Sequence, residues 1–212
     1  MPQLTFKSIK ANTHHLGWRY DDTFPPEALK TIQDFAHDED FRTLFFSPKR
    51  TVTLDAFSIA TTTVTWEDLV EWETDAFYEV ETLEAFCDLL DQRLLTFGWR
   101  LPTEDEFEAA CGGSLFVWGD EIPDGEPYDS GTEFTKHKMP NEHGLLLNVD
   151  TYKVELVRHR LKLGDGGVAL CGGYPHPVPW LALSPKYRVP KEMYGDAFIE
   201  FLEDAEIRPV LL

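Results

Sequence analysis

Few side chains in this sequence are capable of chemistry, and their spacing decides what they can do. The chain holds seven histidines and three cysteines. Cys87 lies in Leu83–Leu90, a helical stripe, and reads as a small core hydrophobe. Cys111 and Cys171 each stand directly before a Gly-Gly pair. Brought together, those two thiols would permit metal or redox chemistry; the plainer reading is two buried thiols. His14 and His15 are adjacent, and neighbours on a strand point to opposite faces, so they read as structural or surface residues. His143, His159 and His176 are scattered, and no nucleophile, base and orienting group recur at a recognisable spacing. His176 sits among Tyr174, Pro175, Pro177 and Trp180, and Tyr187 follows. A histidine there reads first as a ring packed in a loop. The aromatic rings of this Pro-rich stretch, 174–187, are natural anchors for a protein or small ligand.

The elements that must position these residues are readable in part. Thr103 and Glu106 have the spacing of a capping box, and Glu104, Asp105 and Glu106 face the positive end of the helix that follows. Phe107 and Ala110 share one face, and Gly112-Gly113 stops that helix. A second helix is expected from about Thr82 to Leu95, a third over Pro25–Phe35, and a short one at Trp66–Trp72 capped by Thr65. Strands are expected at Leu4–Ile9 and over 49–60, with the alternation slipping at Asp55-Ala56. Further strand-like pieces lie at Lys153–Leu163 and Val168–Leu170, joined by a hairpin turn at Gly164–Gly167. Pro140–Gly144 reads as a turn, and 172–190 is too rich in Gly and Pro to stay regular for long. A short helix near Gly195–Leu202 and a strand at Ile207–Leu211 end the order.

Composition narrows the classes of function. With 212 residues, 42% hydrophobic and 13% aromatic, one domain over 1–212 with a sizeable core is expected. The net charge of −19 would repel a nucleic-acid backbone and suits cations or a basic partner. No apolar run approaches about 18 residues, so no membrane partner is expected. The first residues lack the apolar core of a signal peptide, and three cysteines make no disulfide framework, so a cytoplasmic location is expected.

The ordered set of segments from about residue 47 onward resembles the formylglycine-generating enzyme (sulfatase-modifying factor) family. It runs Ser47–Ile59, Thr63-Val-Thr65, Ala85-Phe-Cys87, Arg100–Ala110 with Gly112-Gly113 and Val117-Trp-Gly119, Pro140-Asn141 with Gly144-Leu145, Cys171-Gly-Gly173, and Ile207-Arg208. The resemblance implies an α+β fold, a variant of the C-type lectin fold: short antiparallel and mixed sheets, flanking helices, high irregular content, and residues 1–46 as a divergent N-terminal part. In catalytic members two cysteines follow the late Gly-Gly by four and nine residues. Those positions here are Pro177 and Ala182, so copper binding by that thiol route is not expected. The resemblance also implies a calcium site, carried here by Asn148, Glu155 and the backbone at Thr151 and Lys153, though its Gly, Asn and both Trp are replaced. Otherwise Asn148 and Glu155 would simply satisfy loop amides. The iron-binding His-x-x-x-His-x-Glu motif of other members is absent.

The favoured reading is a non-catalytic, lectin-like binding module that uses Tyr174, His176, Trp180 and Tyr187. Two others stand beside it: a regulatory paralogue of a catalytic relative, and a divergent metal-dependent oxidoreductase drawing on His143, His159, His176, Cys111 and Cys171.

Overall fold

The computed structural model describes residues 3–19, 30, 34, 41–69, 80–125, 127, 135–147, 152–164, 173, 176–190, 202 and 205–212. These combine α and β structure in small antiparallel and mixed sheets with few helices. The expected helices at Pro25–Phe35 and Gly195–Leu202 and the expected strand Val168–Leu170 lie wholly or mostly outside the described residues.

Strand β1 (Phe6–Ile9) and β2 (Asn12–Leu16) come first, then helix α1 (Phe41–Phe45), β3 (Arg50–Leu54) and β4 (Phe57–Ala60). The break between β3 and β4 falls at Asp55-Ala56, where the alternation slips. Across it the chain changes sheets: β3 pairs with β2, whereas β4 pairs with β1. Next come β5 (Val64–Thr65), α2 (Leu83–Leu95), β6 (Trp99–Arg100) and α3 (Glu104–Cys111). Thr82 caps α2, its hydroxyl accepting from the Ala85 amide, and Leu83, Phe86, Cys87, Leu90 and Leu94 form the buried stripe. Thr65 and Asp68 cap one another's amides at the start of the turn 66–69.

Hairpin β7 (Val154–Val157) and β8 (Arg160–Lys162) replaces the continuous strand expected over Lys153–Leu163. Its turn is Arg158-His159, with His159 at φ +62°. Neither is a turn residue by type; distant contacts hold them. The Arg158 amide donates to Pro102 O at 2.9 Å, and its guanidinium to Asp91 at 2.6 Å. Helix α4 (Val178–Leu181), β9 (Ala205–Ile207) and β10 (Val210–Leu211) follow. The single final strand expected at Ile207–Leu211 is therefore two, divided at Arg208-Pro209 because β9 and β10 belong to different sheets.

One sheet has the order β1-β4-β10-β6, all antiparallel. Another, β5-β9-β7-β8, is mixed, with β7 and β9 parallel. Strands β2 and β3 form a separate ribbon. One apolar cluster joins α2 to Trp66, Trp99, Phe116 and Trp180; a second joins Phe107, Ala110 and Cys111 of α3 to Ile9, Ile59 and Leu163. Each fully buried Leu or Phe in them contributes about 1.5–3 kcal/mol. Among the described residues no helix is long and apolar enough to cross a membrane.

Candidate functional site

Helix α3 organises the polar part of the structure. Its capping box is complete: Thr103 Oγ1 accepts from the Glu106 amide at 3.2 Å, and Glu106 Oε2 accepts from the Thr103 amide at 2.8 Å. Arg100 grips the same carboxylate. Burial raises the pKa of Glu106, but Arg100 and the Thr103 hydrogen bonds outweigh it and keep the carboxyl below its ordinary range. With the first turn pinned, Glu104 and Glu108 fall one turn apart on the same face.

That face lies against four cations. Lys162, fully buried on β8, donates to Glu104 at 2.8 Å and to Glu108 at 2.6 Å. Arg188 forks onto Glu104, its Nε donating at 2.7 Å. Arg50 donates from Nε to Asp105 at 2.6 Å and lies 3.4 Å from Glu108. Lys186 has Gly112 O as its acceptor at 2.9 Å. Burial opposes ionisation of both glutamates, yet these cations prevail. Arg188 and Lys162 hold Glu104 at about 2, and Lys162 with Arg50 keeps Glu108 below the usual carboxylate range. Lys186 goes the other way: burial lowers it to about 8, and Glu108 offsets part of that.

The cluster ties together segments remote in sequence. Glu108 Oε2 also accepts from the Gly17 amide at 2.9 Å. The Trp18 amide donates to Ser47 O, the Ser47 amide to Lys186 O, and the Arg188 amide to Phe45 O. Beside this ladder opens a cleft of about 430 Å³, with Trp18, Phe46 and Pro48 as apolar lining and Ser47, Lys49 and Arg188 as polar lining. Its size suits a small molecule. Ser47 is fully buried; its hydroxyl lies beside the Glu108 carboxylate, which it helps keep charged, but completes no hydrogen bond of regular geometry.

The loop residues singled out from sequence are dispersed. Tyr174 lies outside the described residues. His176 is exposed, its Nε2 3.0 Å from Pro123 O. Trp180 is 0% exposed, donates from Nε1 to Gly125 O at 2.7 Å, and meets Trp118 edge to face. Tyr187 is 5% exposed, edge-on to Phe46. Trp180 and Tyr187 thus face the core, not a contact surface. Ala182 is also buried. Of the loop 174–187, the end next to the cleft is Tyr187, bridged to Phe46 and followed by Arg188.

On the segment expected to bind calcium, Asn148 and Thr151 lie outside the described residues, and Lys153 is half-buried. Glu155 is buried, and both its oxygens accept from Arg208, at 2.9 and 2.8 Å. Arg208 also donates to Ala60 O and Leu146 O. A cation on Glu155 would have to compete with that fork. Asn141 caps the expected turn, accepting from the amides of His143 and Leu145.

Cys171 lies outside the described residues, so only Cys87 and Cys111 can be assessed, and both are buried. Burial pushes the Cys87 thiol up to about 12 and Cys111 well above the ordinary thiol range, so neither is a thiolate at neutral pH. Among the described residues no three His, Cys, Asp or Glu side chains form a group able to hold a metal ion.

Sequence reasoning passed over Glu108, Lys162, Lys186 and Arg188. A signal for two of them was present: Glu104 and Glu108 at i, i+4 spacing on a helix, and Lys162 between Leu161 and Leu163. Compared with known proteins, the chain matches no family model and no curated sequence.

Proposed function

We propose that this protein is a non-catalytic binding module, built on the lectin-like frame that its sequence motifs suggest, and that it holds a ligand in the cleft beside Trp18, Phe46 and Arg188. The cleft itself carries the reading: about 430 Å³ of concave, largely apolar lining backed by a rigid buried ion cluster. The loop 174–187 enters through its last residue, Tyr187, which backs Phe46; its earlier rings support the core. The absence of thiols at positions 177 and 182, with the buried neutral thiols of Cys87 and Cys111, favours binding over thiol chemistry.

Indole, a neutral aromatic probe, tests this by protein-observed NMR. A fragment of that size should bind in the millimolar range, from about −0.3 kcal/mol per heavy atom. Shifts are expected at the Trp18 and Ser47 amides. Thr43, an exposed lining residue, offers the blocking variant: Thr43→Trp should fill the cleft and remove the shifts while the melting temperature is retained. Shifts scattered over the surface, or unaffected by that substitution, would overturn the proposal.

A further inference from the structure

We propose that the ligand of this cleft is a small organic anion, a carboxylate or phosphate monoester on an aromatic or branched apolar body, with its anionic oxygens held by Lys49 and Arg188. This rests on the cleft being the binding site.

Two observations select a negative charge. The first is a local surplus of cations in an otherwise strongly acidic chain. Arg50, Lys162, Lys186 and Arg188 lie against Glu104, Asp105 and Glu108, and Lys49 adds a fifth cation at the lip. Among the described residues this sets five positive charges against three carboxylates at and behind the cleft wall, although the whole chain is at −19. The second is unused donor capacity. The Arg188 fork to Glu104 occupies Nε and Nη2, so Nη1 keeps its N–H groups without a partner among the described residues. Lys49 is exposed, and its ammonium makes no ion pair or hydrogen bond with them. An anionic acceptor makes the stronger bond with such open donors.

The remainder of the lining sets the body of the ligand. Trp18 and Phe46, whose rings lie 4.2 Å apart between centroids, present apolar surface continuous with Pro48. That surface favours an aromatic or branched apolar group over a sugar-like polyol.

The test is isothermal titration at pH 7 with three probes sharing one body type: 3-phenylpropionate, phenyl phosphate and the neutral 3-phenylpropanol. At least one anion should bind about tenfold or more tightly than the alcohol, and which one does so distinguishes a carboxylate from a phosphate ligand. Lys49→Glu should erase that advantage and Lys49→Arg should retain it. Alcohol and anions binding equally would overturn the inference yet leave the cleft a binding site. An anion preference that survives Lys49→Glu would also overturn it. Failure of every probe, indole included, would remove the cleft reading itself.

Discussion

Replacing Lys162 by Met removes a fully buried cation that bonds two carboxylates. Lys162 is 0% exposed and donates to Glu108 at 2.6 Å and Glu104 at 2.8 Å. Met matches the aliphatic stem, so packing is nearly conserved and the loss is electrostatic. Glu104 keeps its Arg188 fork, but Glu108, also 0% exposed, is left with the Gly17 amide, the Ser47 hydroxyl beside it and Arg50 at 3.4 Å. Leaving a buried charge partly uncompensated costs about 3–5 kcal/mol; the surviving partners place this case at the lower end, about 3 kcal/mol. For a chain of this length that lowers the melting temperature by roughly 6–12 °C. Urea unfolding followed by tryptophan fluorescence measures it directly. The second arm is Lys162→Met with Glu108→Gln, in which the Gln carbonyl still accepts from Gly17 and no buried charge is orphaned. The double variant should be more stable than Lys162→Met alone, a coupling of about 1–3 kcal/mol. A single variant within about 1 kcal/mol of the parent, or a double variant less stable than the single, would show that the cluster is not the tie described here.

Three other outcomes follow from the same geometry. Glu104 titrates at about 2 when folded and near 4.5 when unfolded, so its contribution of about 3 kcal/mol is complete above pH 4.5 and is lost as pH falls toward 2; acid titration of stability should show this limb, and Glu104→Gln should flatten it. Gly17→Ala should cost about 3 kcal/mol or more, since a Cβ there would sit 2.0 Å from Pro48 O at φ +82°, whereas Gly98→Ala, at φ +74° with open space, should cost only about 1 kcal/mol; equal losses in chemical denaturation would contradict the packing. His159→Asn should stabilise by about 0.5 kcal/mol, because Asn tolerates the left-handed φ of +62° and the substitution removes a buried Nδ1 that has no partner; a loss in stability would show that the imidazole contributes more than its backbone costs.

What could be read without coordinates was local. The capping box at Thr103 and Glu106, the cap at Thr82 and the break at Asp55-Ala56 each depend on residues within a few positions of one another, and all are present. The β7–β8 hairpin shows the limit. Arg158-His159 has no turn composition, yet the turn forms there, where Pro102 O and Asp91 hold it, whereas the turn expected at Gly164–Gly167 lies mostly outside the described residues. Trp180 looked like a surface anchor because its neighbours are prolines, but its indole partner, Gly125 O, lies 55 residues away. Glu155 resembled a cation ligand for the same reason: Arg208, 53 residues on, gives no local trace. The ion cluster draws on residues from 17 to 188, and no periodicity announces it.

The two faces of α3 explain how so short a helix can govern a cleft it does not line. Phe107, Ala110 and Cys111 seat it in an apolar cluster with β1, β4 and β10, which fixes its axis. Its Glu104 and Glu108 then reach the cleft wall from behind, through Gly17 before Trp18, Arg50 after Lys49, and Arg188 after Tyr187. Each contact falls beside a lining residue or on one, so α3 sets the spacing of the wall. A carboxylate at either position that lost its charge would loosen segments on opposite sides of the cleft together. The cleft and the cluster are therefore one mechanical unit, so Glu104→Gln, which unties Arg188 and Lys162 at neutral pH, should reduce the indole shifts at Trp18 and Ser47 together with stability.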